Sequence, residues 1–162
     1  MKRFLTWSGI IITALILQST FFAVFAYNGI KPDLLLIIVI SSALLYGKDH
    51  GVVTGFFAGL LQDLSTGTFF GVNTFSKMLL GYGFGIAEEH VFKENALLPV
   101  VAILMGSFVN TLMTMIFMLL LGHKVELSNA IISVLCPVLI YNLIMAFPIY
   151  KLVNKIGTWL KA

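Results

Sequence analysis

Charged side chains, cysteines and catalytic motifs are scarce in this chain of 162 residues. Only 10% of the residues are charged, whereas a soluble domain has about 25%, and this excludes an ordinary water-solvated fold. The single cysteine, Cys136, excludes an internal disulfide and any CxxC metal or redox motif. The sequence also has no HExxH, GxSxG or Walker motif, so it offers no familiar catalytic pattern.

Apolar side chains are what the sequence has in abundance. Hydrophobic residues make up 59% of it, and the mean hydropathy is +1.02. The net charge of +3 does not indicate nucleic-acid binding, because the basic residues lie between apolar stretches and near the ends and form no basic patch interleaved with aromatic residues. The composition predicts an all-α integral membrane protein with a single domain over residues 1–162.

Apolar stretches separated by turn residues predict six transmembrane helices. The first and the last two stretches are long enough to cross about 30 Å of hydrocarbon at about 1.5 Å per residue, whereas the middle three are short. The first stretch is longer than the roughly 7–15 apolar residues of a signal peptide, so we expect it to be retained as a helix. The predicted helices are 4–26, 33–47, 51–64, 72–87, 95–121 and 127–151.

The distribution of Lys and Arg predicts an orientation in the membrane. With six helices both termini lie on one side, and because basic residues accumulate on the cytoplasmic side, the richer side is expected in the cytoplasm. A four-helix alternative would make the middle segments re-entrant. The side with the termini carries Lys2, Arg3, Lys48, Lys93, Lys151, Lys155 and Lys161, and the other side carries Lys31 and Lys124. We therefore expect both termini to be cytoplasmic.

Glycine recurs every fourth residue in the third predicted helix, at Gly51, Gly55 and Gly59, and Asp63 continues the series. In water each interior glycine would cost a helix about 1 kcal/mol relative to alanine, but in a membrane this spacing lets two helix backbones approach closely. We predict a helix-packing or partner interface at these glycines, within the chain, on a partner or in a homodimer. Such a row drifts by about 40° per step, so Asp63 need not face the same neighbour as the glycines and is free to point to an outer pocket.

Three ionisable residues, Asp33, Asp63 and Lys77, fall in or beside the predicted helices. Ionisable residues in membrane segments usually face a water-filled cavity or the bundle interior, so these three define a candidate outer polar pocket. Local alternatives exist for each residue. Asp33 would stabilise the start of its helix, and Asp63 would cap the following turn or be hydrated. Lys77 would pair with Asp63 or reach the interface along its aliphatic stem.

Polar amides interrupt the long apolar helices at Gln18, Asn110 and Asn142. Side chains of this kind form hydrogen bonds between membrane helices, and we predict that role for all three. The three histidines fall in predicted loops, and none has a second ligand three or four residues away. Because no nucleophile and base are paired in the pattern either, we expect no metal, no cofactor and no enzymatic activity.

The order of these elements resembles the rod shape-determining protein MreD family. The resemblance extends along the whole chain, although the C-terminal half agrees only in hydropathy. Smaller agreements are Gln18-Ser19-Thr20-Phe21 and the glycines at positions 47, 51, 67, 71 and 81. Most of the resemblance rests on two sequence elements, Pro32-Asp33-Leu34-Leu35-Leu36 and Gly55-Phe56-x-x-Gly59-Leu60-Leu61-Gln62-Asp63.

The resemblance implies a non-enzymatic scaffold of the bacterial elongasome in the inner membrane. Such a subunit binds MreC and helps couple MreB filaments to lateral peptidoglycan synthesis by RodA and its transpeptidase partner. The family is similar in fold to the substrate-binding subunits of energy-coupling-factor transporters, so a vitamin-capturing subunit is the alternative. Those subunits dock through an Ala-x-x-x-Ala element in the first helix, and the alanines of this first helix, Ala14, Ala23 and Ala26, lack that spacing.

Overall fold

The computed structural model describes residues 2–27, 29–67, 71–87, 97–122 and 131–161. Within these ranges the chain is helical and has no strand, apart from an isolated bridge between Tyr27 and Ile30. The prediction of an all-α protein is thus confirmed for the part of the chain that is described. The helices are α1 (Lys2–Ser19), α2 (Phe21–Val24), α3 (Leu34–Tyr46), α4 (Lys48–Thr66), α5 (Val72–Ile86), α6 (Leu97–Leu120) and α7 (Cys136–Lys161), and a π-helical segment (Ile131–Leu135) precedes α7.

Several helix ends differ from the prediction. The first helix does not run unbroken over 4–26, because α1 ends at Ser19 and the single turn of α2 follows. The hydroxyls of Ser19 and Thr20 donate to the carbonyls of Leu15 and Ile16, a bond that competes with the helix ladder and bends helices.

The turn between the second and third predicted helices is shorter than expected. It consists of Gly47 alone, with φ 85°, and α4 starts at Lys48 instead of residue 51. The last helix continues to Lys161, well past the predicted end at residue 151. The predicted starts of the fifth and sixth helices at 95 and 127, and the basic residues Lys93 and Lys124, lie outside the described residues.

Three described helical stretches are long and apolar enough to cross a membrane: Leu5–Val24, Leu97–Leu120 and Ser133–Trp159. Together with the composition they support a membrane protein. The α3 helix is apolar but shorter. Six crossings and the cytoplasmic position of both termini stay predictions.

Helix α3 is the centre of the fold. Every residue from Leu34 to Leu45 is buried, and the helix packs against α1, α4, α5, α6 and α7. A helix that is apolar all round has no water-facing side and must be enclosed. Because α3 is enclosed, the N–H groups at its start are remote from bulk water and need partners within the protein.

Helices α4 and α5 pack with their backbones in contact along the predicted glycine stripe. A Cβ atom added to Gly55 would overlap the backbone of Lys77, and one added to Gly59 would overlap the backbone of Thr74. Gly51 meets Gly81 in the same way. The stripe therefore packs within the chain, which is one of the arrangements that its spacing predicted.

Candidate functional site

Asp63 lies at the end of the glycine row and is fully buried. Its carboxylate accepts hydrogen bonds from the backbone N–H groups of Gly71, Asn73 and Thr74 and from the side chains of Asn73 and Thr74, at 2.6–3.1 Å. These donors form the start of α5, whose first N–H groups have no partner within the helix. Asp63 therefore caps α5, and both of its oxygens are occupied.

Asp63 faces the same neighbour as the glycines, which is one of the two arrangements that the sequence left open. Gly51, Gly55, Gly59 and Asp63 all contact α5. Helices that pack along rows of residues four apart cross at an angle, and such a neighbour follows the row as it drifts around α4. The rotation of about 40° per step around α4 therefore does not turn the Asp63 carboxylate away from the helix that the glycines contact.

Lys77 is the largest fully buried side chain described, with 0% exposure. Its Nζ lies 2.8 Å from Oδ2 of Asp33, whose side chain is 14% exposed. Lys77 therefore pairs with Asp33 and not with Asp63, and it does not reach the interface along its stem. The ion pair connects α5 to the start of α3, and each charge offsets the cost of burying the other.

Side chains from α1, α5 and α7 reach the start of α3, and the one from α5 is Lys77. Oδ1 of Asp33 accepts from the backbone N–H of Leu36 at 3.0 Å, which caps the helix locally. Oδ1 of Asn142 on α7 accepts from the N–H of Asp33 at 2.9 Å, and Oε1 of Gln18 on α1 accepts from the N–H of Leu35 at 3.4 Å. The amides predicted to bond between helices at positions 18 and 142 thus satisfy N–H groups that burial has removed from water.

The polar network continues into α6. The Nδ2 group of Asn142 donates to the hydroxyl of Ser107 at 2.8 Å, and that hydroxyl donates to the carbonyl of Ile103 at 2.7 Å. Polar contacts therefore run from Lys77 through Asp33 and Asn142 to Ser107, connecting α5, α3, α7 and α6. Membrane helices gain little from burying apolar surface against each other, so hydrogen bonds of this kind help fix their arrangement.

A cavity of about 330 Å³ opens beside this network, at the end of the bundle where α3 and α5 begin. Most of the residues that line it are polar, although the chain as a whole is apolar. Of the predicted pocket residues, Asp33 lines it, Lys77 reaches it through Asp33, and Asp63 is occupied as a cap. The lining includes Gln18, Lys31, Asp33, Gln62, Asn110 and Asn142.

Two amides in the cavity wall carry a buried carbonyl oxygen without a hydrogen-bond partner. They are Oε1 of Gln62 and Oδ1 of Asn110. Asn110 was predicted to bond between helices, but the bond that involves it is local, from the hydroxyl of Thr114 to its backbone carbonyl. Buried acceptors are rarely left unpaired, so these two amides differ from Gln18 and Asn142 in the same wall, whose oxygens accept hydrogen bonds.

A second cavity, of about 400 Å³, is an apolar groove between α1, α3 and α7. We call it the α1 groove. Its floor includes Leu34 and Ile38 of α3, and Val153 of α7 forms part of one wall. The other wall is α1, from Thr6 to Leu17, where a Cβ atom added to Gly9 would have no atom within 4 Å. Gly9 is thus a helical glycine that faces open space.

Sequence reasoning missed several polar residues of this region, namely Lys31, Gln62, Asn73, Thr74 and Ser107. The adjacent Asn73 and Thr74 open a helix in the sequence, and residues of these types at a helix start indicate local capping. No pattern signalled Gln62 or Ser107, because their roles depend on the neighbours that the fold brings to them. Within the described ranges, no three His, Cys, Asp or Glu side chains are grouped so that they would hold a metal ion.

Comparison with known proteins gives one family. The family model for rod shape-determining protein MreD matches residues 1–156, which is nearly the whole chain. No curated protein and no solved structure matches the sequence. The resemblance carried by the Pro-Asp-Leu-Leu-Leu and glycine elements is therefore confirmed, while the likeness to the energy-coupling-factor fold stays a prediction.

Proposed function

The chain belongs to the rod shape-determining protein MreD family, and from this premise we propose that it is a non-enzymatic membrane scaffold that binds MreC. Through MreC it helps couple MreB filaments to lateral peptidoglycan synthesis by RodA and its transpeptidase partner. It crosses the bacterial inner membrane six times with both termini in the cytoplasm. Family membership supports the role in rod shape, and the partners and topology are the parts proposed here.

The α1 groove is the observation that carries the proposal, because it is an open apolar groove that follows α1. It extends along α1 from Thr6 to Leu17, which is about 17 Å at 1.5 Å per residue. The glycine stripe of α4 is already covered by α5, so it no longer offers a docking face. A scaffold needs a surface for its partner. The α1 groove is one described face with room for it, and an apolar groove of about 560 Å³ between α6 and α7 is another.

The chemistry of the groove fits one apolar transmembrane helix. Its lining is almost entirely apolar, and Thr13 directs its hydroxyl to the carbonyl of Gly9 at 2.7 Å, so its hydrogen-bonding demand is met locally. Small residues such as Gly9, Thr13 and Ala14 let a second backbone approach, as in other packed membrane helices. We propose that the membrane-spanning helix of MreC occupies this groove.

Copurification of the tagged chain with MreC in detergent tests this assignment, with two matched glycine variants. Gly9→Leu fills the groove, whereas Gly83→Leu adds the same side chain to a helical glycine of α5 that also has no atom within 4 Å of its Cβ position. A clash of about 1–3 kcal/mol lowers affinity by about 5- to 150-fold. We expect Gly9→Leu to reduce MreC recovery by that factor and Gly83→Leu to retain it.

Each other outcome contradicts a defined part of the proposal. Equal recovery of MreC by both variants would remove the groove as its docking site. A stoichiometric bound vitamin with no MreC, in the wild-type preparation, would replace the scaffold by the transporter subunit. Self-association that Gly9→Leu abolishes would assign the groove to a second copy of the chain.

A further inference from the structure

The polar cavity beside the start of α3 has the features of a small binding site. Its volume of about 330 Å³ is within the range of about 300–1,000 Å³ that ligand sites occupy. Three other amides of its lining, Asn142, Gln18 and Asn73, each form a hydrogen bond within the protein. Gln62 and Asn110 are different, because their carbonyl oxygens have no partner.

Unpartnered carbonyl oxygens specify what the ligand must bring. An amide oxygen accepts hydrogen bonds, so a ligand that completes Gln62 or Asn110 must donate O–H or N–H groups. Both side chains line the cavity, and the terminal torsion of an amide is a soft coordinate, so a ligand in the cavity lies beside both groups. The leftover acceptors thus favour a ligand that carries hydroxyl groups.

The net charge of the cavity wall indicates the charge that the ligand should carry. Lys31 and Asp33 are the charged residues among those described in the lining. Asp33 is neutralised by Lys77, whose Nζ lies 2.8 Å away. Lys31 therefore gives the cluster one positive charge in excess, and an ammonium binds phosphate as a point charge.

We propose that this cavity binds a hydroxyl-bearing phosphate of the glycerol phosphate type, with the phosphate at Lys31 and the hydroxyls at Gln62 and Asn110. At about 30 Å³ per water molecule, the cavity holds about ten non-hydrogen atoms, which is the size of one glycerol phosphate group. The same group exists as the head group of phosphatidylglycerol and as free glycerol 3-phosphate. The site is independent of the α1 groove and of MreC binding.

Thermal unfolding of the purified full-length chain in detergent distinguishes these sources. The probes are short-chain phosphatidylglycerol, short-chain phosphatidylcholine, which keeps the phosphate and lacks the hydroxyls, and glycerol 3-phosphate. The cavity variants are Lys31→Gln and Asn110→Leu. Their matched controls, Lys151→Gln and Asn154→Leu, change exposed residues near the other end of α7.

We expect phosphatidylglycerol to raise the unfolding temperature at concentrations where phosphatidylcholine does not. Lys31→Gln should weaken that response about tenfold, the scale for a hydrogen bond to a charged group, and Asn110→Leu about fivefold, the scale for a neutral one. The control variants should keep the response. If glycerol 3-phosphate alone raises the unfolding temperature as much as phosphatidylglycerol does, the cavity binds the free compound and needs no lipid chains. Equal responses to both lipids, or an unchanged response in both cavity variants, would overturn the proposal.

Discussion

Two of the helix faces that carry glycines have opposite surroundings. On α4, Gly51, Gly55 and Gly59 lie against the backbone of α5, so closely that a single Cβ atom would overlap it. On α1, Gly9 lies in a groove where an added Cβ atom would meet nothing within 4 Å. One face is closed by the chain itself, and the other is open.

The difference teaches that small-residue spacing indicates where a backbone can be approached but not by what. The closed face is reinforced by polar groups at one end, where Asp63 caps α5 and Lys77, whose backbone meets Gly55, extends its side chain to Asp33. The open face has no such polar reinforcement among its described contacts, since Thr13 bonds within its own helix. An apolar, adaptable face of this kind suits a separate partner.

Breaking the ion pair should produce the largest effect on the closed face. Lys77→Met removes the ammonium and leaves the carboxylate of Asp33 without its partner in a mostly buried place. Loss of one member of a buried pair costs about 3–5 kcal/mol. We expect a decrease of about 3 kcal/mol in the free energy of unfolding, measured by denaturant titration of the purified chain in detergent.

The double variant Lys77→Met with Asp33→Asn is the control for this prediction. Asparagine keeps an acceptor for the N–H of Leu36 and carries no charge. We expect the double variant to recover most of the stability lost by the single one, so that a double-mutant cycle gives a clear interaction energy. Strictly additive losses would mean that the two charges are stabilised separately.

Replacing glycine by alanine should lower the free energy of unfolding at one position and raise it at another. Gly55→Ala places a methyl group against the carbonyl of Lys77, and overpacking of this kind costs about 2 kcal/mol. Gly83→Ala adds the methyl group where nothing lies within 4 Å and should raise the free energy of unfolding by about 0.5 kcal/mol, because alanine restricts the unfolded chain. If both substitutions stabilise the protein, the backbone contact between α4 and α5 is absent.

The closed face was the more predictable one. Spacing by four in an apolar sequence indicated close backbone packing, because small residues at that spacing let two helix backbones approach. The neighbour of Asp63 did not follow, since the angle at which α4 and α5 cross is a tertiary property that a helical wheel does not contain.

The polar cluster was predictable in its members and not in its connections. Asp33 and Lys77 were both recognised as unusual charges, but they are 44 positions apart in sequence, and the fold alone brings them together. The roles of Gln18 and Asn142 likewise depend on which N–H groups are buried at the start of α3. Such choices are made by packing, so a single sequence indicates that a polar residue matters before it indicates what the residue contacts.

The smallest expected effect on stability concerns Gly9 on the open face, and it tests directly whether a partner covers that face. Gly9→Ala should raise the stability of the isolated chain by about 0.5 kcal/mol, as Gly83→Ala does, because both methyl groups enter free space. With MreC present the two variants should separate, since a ligand that binds the folded state stabilises it and the methyl group added at position 9 would lie between two helix backbones. We expect the stabilisation by MreC to fall by about 1 kcal/mol for Gly9→Ala and to stay unchanged for Gly83→Ala, measured as unfolding curves with and without MreC. Equal stabilisation of both variants would make Gly9 an ordinary lipid-facing glycine.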